Sequence, residues 1–448
     1  MPLSVMQTPS MTVDVTIIGS GIQGLWSLAT LTEAGYNAIL LERERPGFGQ
    51  TGHSHVFLHE GHMFASSVDK EFDEVRPRLE ATKKANAIWK TALNDGWLRD
   101  LDTIESNFYV GWQLEQRGRT FQSYCHRAGL TCDEVAQEGD LFQGIPPMGG
   151  VYHGPGKCID SRILLERLLA VHDIRSRVGF CKDIDILTSD SSQTELLVTG
   201  KGEAGSNSSR SKDQIVIKTN SLILSAGAGN ERLISLLNGS GSFHVETSRQ
   251  QTVKTFMLVV RHLNSSEPLA SGFFPEFGGI FMVSRRDLQG KIVWLIGDKQ
   301  RKLIPVPGES PAFDAVNWFG NLNRHLVNLL PRIANNPDEY EWGIYEATKA
   351  ERWTTNSKGE AGRMPEAFHV SRHPSKSIWL TWPTLLTFAP LVAASIRDDL
   401  VATAAPQQPV SDLEHWQRLR LDLNAADCRW KRTPLVSWTK FNQSFGAH

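Results

Sequence analysis

The six residues Gly19-Ser20-Gly21-Ile22-Gln23-Gly24 constrain this chain more than any other stretch. They follow directly on Val13-Asp14-Val15-Thr16-Ile17-Ile18, a β-branched, compact run that reads as a buried strand. Behind them Ile22, Leu25, Trp26, Ala29 and Leu31 recur at helical spacing, and Gly35 supplies a C′ stop. A second strand, Asn37 to Leu41, ends at Glu42. Strand, glycine turn, helix, strand and acid in this order make a βαβ unit of about 30 residues that binds a dinucleotide. Gly19 permits the tight turn, Gly21 lets the backbone approach a pyrophosphate, and Gly24 lets helix and strand pack closely. The helix start offers free N–H groups and a positive dipole end to the phosphates. Glu42 is placed to accept both ribose hydroxyls, and Ser20, Ile22, Gln23 and Arg43 flank these contacts.

The 448 residues are 40% apolar and 21% charged with a formal net charge of −2, which excludes a disordered chain, a coiled coil and a nucleic-acid-binding footprint. The chain is long enough to bury a core without staples. Five cysteines form no C-x-x-C pair and read as buried reduced thiols of a cytoplasmic enzyme. Met1 to Ser10 lacks the apolar region of a secretion signal, and no apolar run is long enough to span a membrane.

Later segments favour FAD over NAD. Gly49 to Phe64 is small and polar, then apolar, with four histidines, and suits a segment passing under a large planar cofactor. Leu222 to Gly229 is a buried strand ending in a small-residue turn. Ser377 to Thr381 is another strand, followed by a loop from Trp382 to Phe388 and a helix with Pro390 in its first turn. Strands at Leu196–Val198 and Ile215–Ile217, separated by the Ser- and Gly-rich 188–213, form a meander with a mobile tip. Gly279–Val283 and Ile292–Ile296 form a hairpin turning near Gln289-Gly290. The tail from Asp412 carries Trp416, Trp430 and Trp438 and packs a helix on the body.

Together these segments resemble the FAD-dependent oxidoreductases of the D-amino-acid oxidase (DAO) family over nearly the whole chain. Gly154 to Asp160 looks like the family's G-x-I-D-P helix start, and Arg249-Gln250-Gln251 like its R-G-Q/E strand start. The closest pattern is the L-2-hydroxyglutarate dehydrogenase-like branch. Its S-S-R-N-S-x-V-I-H-A-G segment aligns on Thr51 to Gly61 and places the histidine at His59. Its R-A-Q resembles Lys349-Ala350-Glu351, and its flavin loop resembles Trp382 to Thr387. This chain departs from the family in having Lys for that arginine and no glycine between Gly362 and Gly446. Lys cannot make a planar bidentate pair with a carboxylate.

The resemblance implies an α/β (α+β) chain, with a Rossmann-type FAD-binding domain (1–85, 150–240 and 345–400) carrying an inserted antiparallel-sheet substrate domain (86–149 and 241–344). A C-terminal helical tail, 401–448, completes it. Besides the glycine turn, FAD contacts are expected from Gln50, Thr51, Ser54, His55, Ile184, Ala226, Gly227, Pro383, Thr384, Leu385, Leu386 and Thr387. His59 is expected against the isoalloxazine ring. Lys349, Arg352 and Arg249, with Arg285 and Arg286, are the cations that could hold an acidic substrate. In the dimethylglycine dehydrogenase branch the histidine matching His59 carries the flavin covalently.

The implied activity is transfer of a hydride from a C–H beside an amine or hydroxyl of a small molecule to flavin N5, with oxygen or a carrier as electron acceptor. His59 would position the substrate or act as base. Two rivals stand beside it. Gly297-Asp298 imitates the G-D motif of flavin monooxygenases, although it reads as a solvated strand end. A non-redox flavoprotein with structural FAD is the other. His53, His55, His59 and His62 do not make a metal site, because only Glu60 joins them at ligand spacing.

Overall fold

The computed structural model describes residues 8–135, 149–189, 193–200, 214–239, 250–264, 271–287, 289–298, 302–303, 315–352, 368–373, 377–382, 385–403, 405–406, 416–417, 419–420 and 424–446. Two sheets organise the chain. In the first, β1 (Ser10–Ile18) is central. β2 (Ala38–Glu42) pairs parallel on one side and Gln214–Leu224 parallel on the other. Val178–Phe180 extends the β2 side and Ile378–Trp382 the opposite side, both parallel. The winding direction therefore reverses at β1. This puts a topological switch point, the place where doubly wound folds open a ligand crevice, at the carboxyl end of β1.

Helix α1 (Ile22–Glu33) follows β1, and every residue from Ile22 to Leu31 is buried. It packs between the sheet and the helices Ser161–Ala170 and Ala389–Thr403 in one apolar cluster. The chain leaves α1 through Gly35 at φ +88°, a left-handed position that favours glycine. The meander is present and has one strand more than its sequence showed: Asp183–Ser189 pairs with Thr194–Thr199, which pairs with Gln214–Leu224. Its tip lies outside the described residues.

The second sheet is mostly antiparallel and carries the expected hairpin, Ile280–Arg286 with Ile292–Gly297, closed by Gly290 at φ +77°. Its longest pairing joins Gln250–His262 to Tyr340–Arg352. The helices Ala315–Leu329 and Trp438–Phe445 cover one face, Trp318, Phe319, Leu322 and Phe441 packing in one cluster with Trp342 of the sheet. The tail thus packs a helix on the body, and Val436–Ser437 adds an edge strand.

Chain segments cross between the sheets more often than the expected boundaries allow. Phe57–His59 and Val151–Ile159 belong to the second sheet, as does Tyr340–Arg352, which runs through residue 345. Helix Phe72–Asn94 runs through residue 85. Gly154-Pro155-Gly156, ahead of the helix start at Ser161, lies inside the strand Val151–Ile159. Pro155 is tolerated because it faces Asn107 on one side only. On the other side, pairing with Asp133–Glu134 ends at His153 and pairing with Phe57–His59 begins at Gly156.

Candidate active site

A cavity of about 400 Å³ opens at the carboxyl end of β1. Gly19, Ser20, Gly21, Ile22 and Gln23 line it, with Glu42 and Arg43 at the end of β2. Gly19 sits at φ +105°, and a Cβ there would lie 2.5 Å from the Ser225 carbonyl oxygen. A Cβ on Gly24 would lie 1.9 Å from the Gly19 oxygen, so Gly24 faces the turn and not the cavity. Gly21 differs: its Cβ would meet only Thr51 Oγ1, at 3.3 Å. Protein packing leaves room there, which fits a residue kept small for a ligand's approach.

Glu42 is held before any ligand arrives. Its Oε2 accepts from the Ser20 N–H at 2.8 Å and the Ser20 hydroxyl at 2.5 Å, and its Oε1 from the Arg43 and Glu44 N–H groups at 2.8 Å each. A carboxylate accepts about four hydrogen bonds. A ribose hydroxyl would therefore exchange with the rotatable Ser20 hydroxyl and not fill a vacant position. Next along the wall, Ile184 stands with Lys182, Asp183 and Arg232, the last two paired as a salt bridge. Ala226 and Gly227 follow, braced by Asn230, which accepts from the Ala226 N–H at 2.8 Å and donates to the Thr381 oxygen at 3.0 Å.

The far end of the cavity reaches the second sheet at Thr348 and Ala350, and Leu385 and Leu386 ahead of the helix Ala389–Thr403. Gln50, Thr51, His53 and Ser54 line the passage. Gln50 Oε1 accepts the Ala350 N–H at 3.2 Å, and Tyr345 donates to the His53 oxygen at 3.2 Å. Thr51 Oγ1 accepts the Ile22 N–H at 3.1 Å and so caps α1 from outside the helix. Thr387 lies behind the wall, its oxygen accepting from Trp89 Nε1 at 3.0 Å. Burial, then the Arg429 and Arg432 charges, push the His53 pKa down to about 4. Val56, in the same segment, has φ +47°, an uncommon and strained conformation for a β-branched residue.

Other expected residues fall elsewhere. His59 does not line the cavity. Its ring stacks on Phe108 with centroids 5.3 Å apart, meets the edge of Phe64 at 5.7 Å, and takes the Gly61 N–H on Nδ1 at 3.1 Å. Burial, then the His62 charge, lower its pKa to about 3, so it is neutral at physiological pH. The expectation of ring contact came from aligning Thr51 to Gly61 on the related branch's segment. Here the alternation of Phe57–His59 turns His59 into an aromatic box. His55 also lies behind the wall, with Phe281 at its ring edge, and burial followed by the Lys349 and Arg285 charges holds it neutral. Lys349 stands between the lining residues Thr348 and Ala350. Arg352 pairs with Gln250 in the second sheet, and its side chain lies outside the description, as do Arg249, Pro383 and Thr384. Asp298 is no solvated strand end: it accepts from Trp318 Nε1 at 3.0 Å and is absent from the cavity wall, so nothing supports the monooxygenase motif. Among the described residues no cluster of potential ligands could hold a metal.

The FAD dependent oxidoreductase (DAO) family profile matches residues 14–380. The chain belongs to the FAD-dependent oxidoreductases of the DAO family. A probable FAD-dependent oxidoreductase of Pseudomonas aeruginosa is 25% identical over 415 residues, covering 89% of this chain and 96% of the relative. Its crystal structure superposes with a TM-score of 0.63 at 20% identity, over 95% of this chain and 99% of that one. Glycine oxidase from Geobacillus kaustophilus is similar in fold, with a TM-score of 0.62 at 14% identity over 89% and 97% of the two chains. So is the L-α-glycerophosphate oxidase of Mycoplasma pneumoniae with FAD bound, at 0.61 and 14% over 90% and 98%. The cofactor of this DAO-family enzyme is FAD. Its cavity fits: the glycine turn and Glu42 stand at one end, and the sheet boundary, where a flavin ring would be needed, at the other. Among the described residues no helix is long and apolar enough to cross a membrane.

Proposed function

We propose that this enzyme oxidises a small molecule at a C–H beside an amine or hydroxyl, FAD accepting the hydride at N5. One observation carries the reading: a single cavity joins the glycine turn to the boundary between the two sheets, where substrate would meet the ring. The remaining chemistry belongs to residues of the chain. Ser20, Gly21 and Ile22 would face the pyrophosphate and Glu42 the ribose. The helix Ala389–Thr403 begins behind the turn Leu386–Phe388, and its N-terminal dipole would stabilise negative charge developing at the flavin's pyrimidine edge.

The test is anaerobic mixing of the FAD-loaded enzyme with amines, amino acids and hydroxy acids, following flavin absorbance. Bleaching by at least one amine, amino acid or hydroxy acid is expected, and admitting air then shows whether oxygen or a carrier restores the colour. A flavin that no member of the panel bleaches overturns the proposal and leaves a non-redox role for FAD.

A further inference from the structure

One wall of the cavity is a single short segment. Every residue from Gly47 to Ser54 lines the cavity except Gly52. Three of these eight residues are glycine, which leaves the backbone loose, so the wall needs bracing from outside. Gly52 shows where the brace lies. It faces away from the cavity, and a Cβ there would come within 3.8 Å of the backbone oxygen of Asp427, in the C-terminal tail.

Residues 425–432 are bound on two sides. Toward the wall, the Ala426 N–H donates to the Pro46 oxygen at 2.8 Å, and the Arg429 and Arg432 charges stand near enough to His53 to act on its ring. Away from the wall, the same residues run along the first two turns of the helix Ser161–Ala170. The Ala425 N–H donates to Glu166 Oε1 at 2.5 Å, Arg162 donates to Asp427 at 2.6 Å, and Lys431 to Asp160 at 2.6 Å. Cys428 Sγ lies 3.0 Å from Ser161 Oγ. None of these tail and helix residues lines the cavity, so their bonds reach a bound dinucleotide only through the wall. The wall itself is tied to Ile22 through Thr51 and to Ala350 through Gln50. An extended dinucleotide beneath it leaves only if the wall moves.

We propose that residues 425–432 are a clasp for the cofactor: seated on the helix Ser161–Ala170, the tail holds the wall 47–54 closed over FAD, and FAD enters or leaves when the tail lifts. It rests on the reading that FAD lies beneath this wall. Coupling between two binding events is reciprocal, so a clasp that retains FAD is itself seated more firmly by FAD.

The test compares amide hydrogen exchange of the enzyme with and without FAD. FAD should slow exchange in 47–54 and, with it, in 425–432, by about five- to a hundredfold, the usual span of coupling between sites. The helix Trp438–Phe445, further along the same tail but packed on the second sheet, should change by less. Release of FAD is then followed as free-flavin fluorescence after dilution. Ala426→Pro, which deletes the N–H given to Pro46, should speed release by about three- to tenfold, one hydrogen bond's share. Arg162→Ala and Lys431→Met each remove one charge pair without touching the cavity and should each speed it by about two- to fivefold. These two decide the matter if Ala426→Pro does not fold. Equal slowing in 425–432 and 438–445 overturns the proposal, since FAD would then steady the whole molecule. So do release rates that no variant changes. Absence of slowing in 47–54 overturns the reading that FAD lies beneath the wall, and the clasp with it.

Discussion

Gly21 and Gly24 occupy the same motif for opposite reasons, and alanine separates them. At Gly24 the new Cβ would strike the Gly19 backbone oxygen at 1.9 Å, a contact that cannot relax without moving β1 away from α1. Gly24→Ala should therefore lose a few kcal/mol of stability or fail to accumulate. At Gly21 the Cβ meets only a threonine hydroxyl at 3.3 Å. Gly21→Ala should melt near the wild-type temperature yet retain at least about tenfold less FAD, if steric approach to the pyrophosphate is what the residue serves. Thermal melting and the flavin-to-protein absorbance ratio read the two effects separately. The buried histidines set a pH limit. His59 titrates near 3 in the fold and near 6.5 when unfolded. Between those values the unfolded chain holds a proton that the folded chain lacks. Stability is thus fully present above about pH 6.5 and falls as pH drops, by about 1.4 kcal/mol per unit for each such group. His59→Phe, which keeps the aromatic box filled, should flatten the pH dependence of denaturant midpoints by one proton between about pH 6 and 4. An unchanged slope would show that His59 is not held neutral.

Two helix N-termini are capped by side chains, one of which also holds a cation. Asp160 caps Ser161–Ala170, accepting from the Arg162 N–H at 2.9 Å and the Ile163 N–H at 3.2 Å, and it also holds Lys431. Burial alone would raise its pKa, but Lys431 and the helix N–H groups outweigh burial and lower it. Asp160→Asn keeps a cap and loses the charge pair; Asp160→Ala loses both. Denaturant titration should show the alanine variant less stable than the asparagine by about 1 kcal/mol, the worth of a cap. If the two variants are equally stable, the cap contributes nothing. Thr51 caps α1 across a gap of 29 residues. Thr51→Val should cost about 0.5–2 kcal/mol while Thr51→Ser stays near the wild type, again by denaturant titration.

At the scale of the molecule, the tail is a structural member of the second sheet. Phe441 is fully buried among Trp342, Trp438 and Phe319, with ring centroids 5.0–6.0 Å away. Phe441→Ala should cost about 3–5 kcal/mol, visible as a lowered denaturant midpoint. A change under about 1 kcal/mol, within the range of a surface substitution, would mean that the tail is dispensable to the fold. The sequence by itself determined the dinucleotide half. There the order strand, glycine turn, helix, strand and acid is local, and each residue type answers a requirement of its own neighbours. It also showed the family and the hairpin, whose turn and alternation are short-range. Tertiary structure decided the rest. Which sheet a strand joins depends on partners hundreds of residues away, so Val151–Ile159 and Tyr340–Arg352 could not be assigned from their own residues. Whether a polar residue faces the cavity depends on how the chain turns between elements: His53 ends the helix Gln50–His53 and lines the cavity, while His59, beyond the turn at Val56, enters an aromatic box and meets Phe108 from another strand.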